Sequence, residues 1–239
     1  IKPYYPKPKG AGRRPIGIER MLRIHFLQHW FALSDPAAEE ALYDSRAMRS
    51  FVGFDLGQEP VPDDPTICTF RHLMERHNRG DALFHKGRVY LAENGMKVAR
   101  GTIVDATIIN APSSTKNQDK ARDPEMHQTR KGNQWYFGMK AHIGVDSKKK
   151  LIHSVVATAA NVHDSQVLED LLHGDETRLW GDSAYAGQKT VLQEHAPNAK
   201  DFTNKKGYRY KSLTDAEKSK NSTKSSVRAK VEHVFHIMK

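Results

Sequence analysis

Over residues 18–95 the apolar positions recur at helical spacing. Ile18, Met21, Leu22, His25, Phe26 and Trp30 fall on one side of a helix that starts near Ile18. Asp35–Pro36 joins an N-cap to a first-turn proline and opens a second helix, with Leu42, Met48 and Phe51 as buried positions and Gly53 as its stop. Asp64–Pro65 repeats that signal, and Ile67, Phe70, Met74 and His77 line a third helix that Gly80 ends. A shorter helix over 82–93 finishes at Asn94–Gly95. The pattern predicts a small all-α domain over 18–95 that either holds DNA, helix-turn-helix style, or serves interaction and dimerisation.

After Gly95 the period changes. Residues 102–109, TIVDATII, are a β-branched run with one charge, Asp105, at the centre, and read as a strand. The polar stretch 110–134 reads as a long loop. Strands are expected over 135–145 and 151–159, flanking a turn at 146–150. Asp164 is expected to cap a helix carrying Val167, Leu168, Leu171 and Leu172. A short strand in 178–185 ends in Asp182, a helix covers 189–195, and a final helix runs over 225–239. On that last helix Arg228, Glu232, Phe235 and Lys239 share a stripe, beside an apolar one of Val227, Val231, Val234 and Met238. Its apolar side then packs while the charged side faces a cleft. The element order is a mixed α/β one.

Charge changes the picture more than composition does. A net charge of +10 favours a polyanionic partner, nucleic acid or an anionic membrane surface. Residues 1–17, rich in Pro, Lys, Arg and Gly, are expected to be a mobile basic arm. No run of about 18 apolar residues is available to span a bilayer. The start lacks an apolar signal-peptide region, and the single Cys68 excludes a disulfide framework, so an intracellular chain is expected. The chain begins with Ile1 and stops within a helical pattern at Lys239, as a fragment or a shortened reading frame would.

Asp105 carries the most chemical information, because a carboxylate inside an apolar strand is costly to bury unless it is paired or binds a cation. Asp182 closes another strand, at the end where α/β sheets place their sites. With Glu232, three carboxylates from separate elements can converge, and oxygen-only ligands select Mg²⁺ or Mn²⁺. Two such ions about 4 Å apart clamp the oxygens of an in-line phosphoryl transfer. Alternatively, Asp105 pairs with Lys140 or His142, Asp182 makes a turn before Ser183, and Arg228 and Glu232 form a solvated helical pair. Asp146 reads as solvated in its turn. His233 and His236 lack the partners of a zinc site, and no Walker loop or GxSxG elbow occurs. Lys116, Lys120, Arg122, Arg130 and Lys131 in the long loop suit phosphate-backbone contact. So do Lys205, Lys206, Arg209, Lys211, Lys218, Lys220 and Lys224, with Tyr208 and Tyr210 interleaved.

At these residues the sequence resembles the DDE transposases of bacterial insertion sequences, specifically the insertion-sequence five family. The stretches that carry it are LSDPAAEEALYDSRAMRSFVG at 33–53, GTIVDATIINAPSSTKN at 101–117, DPEMHQTRKGNQWYFGMKAHIGVD at 123–146 and LIHSVVATAANVHD at 151–164. The resemblance implies a ribonuclease-H-like catalytic core over 96–239, a mixed sheet with flanking helices, behind the helical N-terminal domain. It makes Asp105, Asp182 and Glu232 the catalytic metal ligands for Mg²⁺, with Mn²⁺ as substitute. Arg228 and Lys239 match the Arg and Lys of the family signature and would orient phosphate; Lys140 joins the DNA-contacting set. Ser225 stands where that signature has Tyr, and relatives continue past Lys239. The implied activity is cleavage at terminal inverted repeats and joining of the 3′-OH ends to target DNA, by a homodimer on DNA in the bacterial cytoplasm, beside the nucleoid. The alternatives are a domesticated or decayed DNA-binding remnant and a structure-specific nuclease on the same fold.

Overall fold

The computed structural model describes every residue except 8–13, 97–99, 117–119, 209–210 and 239. Its residues fall into two units, Ile1–Tyr90 and Leu91–Lys239. In the first, capping chemistry sets the helix starts, one residue earlier than the Asp–Pro pairs suggest. Ser34 Oγ accepts the amide of Ala37 at 3.3 Å to open α2 (Asp35–Asp44), which follows α1 (Ile18–Phe31). Ser45 accepts from Met48 at 3.3 Å and starts α3 (Arg46–Val52), so the expected second helix is two. Asp63 accepts from Thr66 at 3.2 Å and caps α4 (Asp64–Arg76); α5 is Arg79–Glu93.

Met21, Ile24, Leu42, Ile67, Phe70 and Met74 form the helical core. Arg71 donates to Asp35 at 2.8 Å and holds that carboxyl below its usual range. The apolar residues of the basic N-terminal stretch anchor its described part. Ile1, Tyr5 and Ile16 pack on the core, Tyr5 Oη donates to the Ile16 carbonyl at 2.5 Å, and Tyr4 stacks on His77 at 3.9 Å.

The second unit is built on β1 (Gly101–Asn110), β2 (His127–Lys131), β3 (Gln134–Asp146), β4 (Ile152–Ala159), β5 (Arg178–Trp180) and β6 (Lys200–Asp201). Around them lie α6 (Lys189–His195), α7 (Asp215–Arg228) and α8 (Lys230–Met238). The six strands make one mixed sheet in the order β2-β3-β1-β5-β6, with β4 also on β3. β1 runs antiparallel to β3 and parallel to β5. Alternation along β1 divides the core. Ile103 packs with Ile143, Val145 and Trp180 under Val231, Val234 and Phe235 of α8. Val104 packs on the other side with Leu168, Leu171, Leu179, Tyr185 and Leu192.

Four local expectations change. The polar stretch 110–134 contains β2, which pairs with β3 from His127↔Gly138 to Lys131↔Gln134. The segment after Asp164 is two 3-10 turns, Asp164–Val167 and Glu169–Leu171, and His163 is the cap. The last helix is broken at Ala229, which separates α7 from α8. Asp146 is fully buried, not solvated: Oδ1 accepts the amides of Lys148 and Lys149 at 2.7 and 3.0 Å and ties the hairpin turn. Gly144 is required where it stands, since a Cβ there would meet Leu171 O and His153 Cε1, each at 2.6 Å.

Candidate active site

The parallel pairing of β1 with β5 brings two carboxylates together. Ile103 pairs with Trp180, and Asp105 and Asp182 each follow two residues on, at the carboxyl end of the pair. Asp105 shares the face of Ile103, opposite Ile143, the face covered by α8. Asp182 caps the 3-10 turn Ser183–Tyr185, accepting the Ala184 amide at 2.8 Å. The buried Val231, Val234 and Phe235 seat α8 on the sheet and leave Glu232 exposed on its first turn.

These elements enclose a cleft of about 460 Å³. Four carboxylates line it, Asp105, Asp164, Asp182 and Glu232, with four cations, Arg130, Lys131, Lys140 and Arg228. Asp105 is 8 % exposed. Its Oδ2 accepts from Arg228 Nη1 at 2.9 Å and its Oδ1 from the Ala106 amide at 2.9 Å. Burial nonetheless pushes its pKa up to about 6; Arg228 and the Ala106 amide pull the other way, and Asp182 and Glu232 add to the rise. The Arg228 Nε is buried and has no hydrogen-bond partner among the described residues.

Lys140 pairs with Asp164 at 2.8 Å and also donates to the Val162 carbonyl at 2.8 Å. His142 Nδ1 lies 3.9 Å from the same carboxylate, and burial lowers the His142 pKa. Neither residue is the partner of Asp105, so both pairings open to it from sequence give way to Arg228. Asp164, read as a helix cap, is a carboxylate of the cleft. Tyr185 lies fully buried behind the site, its hydroxyl without a hydrogen-bond partner among the described residues. Burial, then Asp164, Asp105 and Asp182, hold that phenol far above its usual range.

The other expected DNA-contacting residues separate. Arg130 and Lys131 reach the cleft from β2. Lys116, Lys120 and Arg122 are exposed and do not line it; Arg122 donates to the Ser113 carbonyl at 3.1 Å. Lys239 lies outside the described residues, as do Arg209 and Tyr210. Ser225, in the place of the signature Tyr, accepts from Asn204 Nδ2 at 3.0 Å.

Among the described residues no three His, Cys, Asp or Glu side chains stand close enough to share one metal ion. The donor chemistry still fits Mg²⁺, which binds through one or two carboxylates together with substrate phosphate. The raised pKa of Asp105 points the same way, because its burial is under-compensated even with Arg228 in contact. Among the described residues no helix is long and apolar enough to cross a membrane.

Two family models match the chain. One, described as Transposase DDE domain, covers residues 96–239; the other, described as Transposase domain, covers residues 1–73. No solved structure matches it. With its mixed sheet, flanking helices and N-terminal helical region in the ribonuclease-H-like pattern, the chain belongs to the transposase DDE domain family, DNA-acting enzymes of transposable elements.

Proposed function

We propose that this transposase cleaves DNA at the terminal inverted repeats of an insertion sequence of the insertion-sequence five type and joins the freed 3′-OH ends to target DNA. The observation that supports this reading is that Asp105, Asp182 and Glu232, from three separate elements, line one cleft together with four cations. Asp105, Asp182 and Glu232 would hold the divalent ions, Mg²⁺ or Mn²⁺, one or two carboxylates to an ion together with substrate phosphate. Bound there, such an ion supplies Lewis-acid activation of water and of the phosphate oxygens.

The protein's own groups bind and orient. Arg228, which lines the cleft, offers a phosphate oxygen a charge-assisted donor in a site partly shielded from water. Lys140, fixed by Asp164 and the Val162 carbonyl, holds a second positive charge at the same phosphate. Arg130 and Lys131 extend the cationic wall along β2, where they contact the backbone without reading sequence. The first reaction breaks a phosphodiester with water and leaves a 3′-OH. In the second, that hydroxyl displaces an oxygen of a target phosphodiester, so no covalent enzyme intermediate forms. Joining two ends in one complex calls for two copies of the chain on DNA.

The test is incubation of the protein with Mg²⁺, a labelled terminal-repeat duplex and a target plasmid. Joined product is the expected result. Cleavage without joining marks a nuclease, and a salt-sensitive shift without cleavage marks a DNA-binding remnant.

A further inference from the structure

The helical unit carries an exposed aromatic patch outside its core. Phe26 and Trp30, one turn apart on α1, stack at 5.7 Å, and Trp30 meets Phe51 of α3 at 5.6 Å. Arg23 sits over the Phe51 ring at 5.7 Å and donates to the Phe51 carbonyl at 2.6 Å. The rings stay open to solvent: Trp30 is 63 % exposed, and Phe26 and Phe51 each over more than a third of their surface. Met21, Ile24 and Leu27 of the same α1 supply the buried core instead. Aromatic rings in contact with an arginine are the composition of interface centres, where a few such residues dominate the binding energy.

Charge argues against DNA as the occupant. Residues 18–76, which span α1 to α4, hold six Arg, no Lys and ten Asp or Glu, a net of −4 in a chain of +10. Most of those arginines are engaged within the fold. Arg20 pairs with Glu59, Arg23 with Glu19 and Arg71 with Asp35, and Arg49 donates to the Leu42 carbonyl. A surface that meets phosphates is instead rich in unpaired cations.

Area and symmetry point to a second copy of the chain. At about 200 Å² for a whole aromatic side chain, the exposed parts of the three rings come to about 300 Å² in each copy. That is about a third of the ~800 Å² that one partner of a standard interface buries, which suits an apolar centre inside a polar rim. A two-fold axis lays the same patch on itself, so the patch must be its own complement. Apolar rings are. The charge beside them, Arg23, already has its counter-charge in Glu19 at 2.6 Å, so it does not face its own copy as a bare like charge.

We infer that two copies of the chain associate through this patch, with Trp30 at the centre and Phe26, Phe51 and Arg23 around it. That the reaction needs two copies, to join two ends, rests on the proposed reading of the cleft; the self-association does not.

Sedimentation equilibrium of the full chain, without DNA and in EDTA, tests it. The wild type should be a dimer at micromolar concentration. Trp30→Ser should weaken the dimer about thirtyfold, the weight of one aromatic anchor. Phe26→Ser with Phe51→Ser should act in the same direction, and circular dichroism checks that each variant keeps its helices. Trp135→Ser, which removes an equally exposed ring from β3, should change nothing. A monomeric wild type overturns the inference, as does a Trp30→Ser dimer of unchanged affinity. So does a Trp30→Ser protein that dimerises normally but binds a terminal-repeat duplex more weakly, which would make DNA the occupant. A wild-type dimer that gives no joined product in Mg²⁺ sinks the catalytic reading and leaves this one standing.

Discussion

Arg228 and Asp105 lie 123 positions apart and meet at 2.9 Å, with the guanidinium at the end of α7 and the carboxylate at the centre of β1. The pair sets the electrostatics of the cleft, because Arg228 is the cation that offsets the burial of Asp105.

Asp105→Asn, Asp182→Asn and Glu232→Gln should each lower cleavage about a thousandfold or more, the loss of several kcal/mol of charge stabilisation. DNA affinity should stay the same or tighten, since each change removes a negative charge near phosphate. Gel assays of cleavage and shift on the same duplex check both; cleavage at wild-type rate in any of the three would dismiss that residue.

Asp105 gives a pH dependence whose sign is fixed by its raised pKa, about 6 against an ordinary 3.8. The folded protein favours the protonated form, so its contribution to stability is full below about pH 4 and is lost as pH rises through about 6. The penalty in the metal-free protein is at most about 3 kcal/mol. Asp105→Asn should raise the melting temperature in EDTA at pH 7 more than at pH 4. Mg²⁺ should stabilise the wild type at pH 7 and leave this variant unmoved. Equal Mg²⁺ effects on the two proteins would count against the ligand assignment.

Gly144→Ala should destabilise the second unit by about 1–3 kcal/mol, because the new methyl meets a backbone oxygen, Leu171 O, that has no rotamer to escape into. Urea unfolding reads the change, and an unaltered midpoint would contradict the close approach of that turn to the sheet.

Asp146→Ala should cost about 1–3 kcal/mol by leaving two turn amides without their buried acceptor. Asp146→Asn, which keeps one acceptor oxygen, should recover part of it in the same measurement.

The loop cations are expected to act differently from those of the cleft. Replacing Lys116, Lys120 and Arg122 by Ala should weaken binding to all DNA sequences alike and lower the salt slope by about one per lost phosphate contact. Single-turnover cleavage at saturating DNA should be unchanged. Replacing Arg130 and Lys131, which line the cleft, should also slow that step.

The sheet and the helical N-terminal region were legible because their signals are local: β-branched alternation for β1 and β4, capping residues with proline for α2 and α4. β2, HQTRK, was hidden because it is mostly exposed and is held by pairing with β3, not by an apolar face. The break at Ser45 was missed because no proline or glycine marks it, and Ala41, Leu42, Ala47 and Met48 on either side favour helix. At the site, the charge of Asp105 within an apolar run was readable by itself, and Glu232 stood out between Arg228 and Lys239 on one helical stripe. The Arg228–Asp105 pair was invisible, since no local pattern connects the end of a polar helix to a strand so far away in sequence. Asp146 was misread as solvated and Asp164 as a helix cap, because the surroundings of an acid near a turn are set by packing that no local pattern shows.

The break at Ala229 has a mechanical consequence. Glu232 rides on α8, held to the sheet by the buried Val231, Val234 and Phe235, while Arg228 ends α7, which reaches the same core only through the half-buried Val227. The acid is therefore more firmly seated than its neighbouring base. An incoming polyanion can draw the guanidinium away from Asp105 without opening any of the apolar seam beneath, so swapping one counter-charge for another is mechanically cheap at this one corner of an otherwise stiff scaffold.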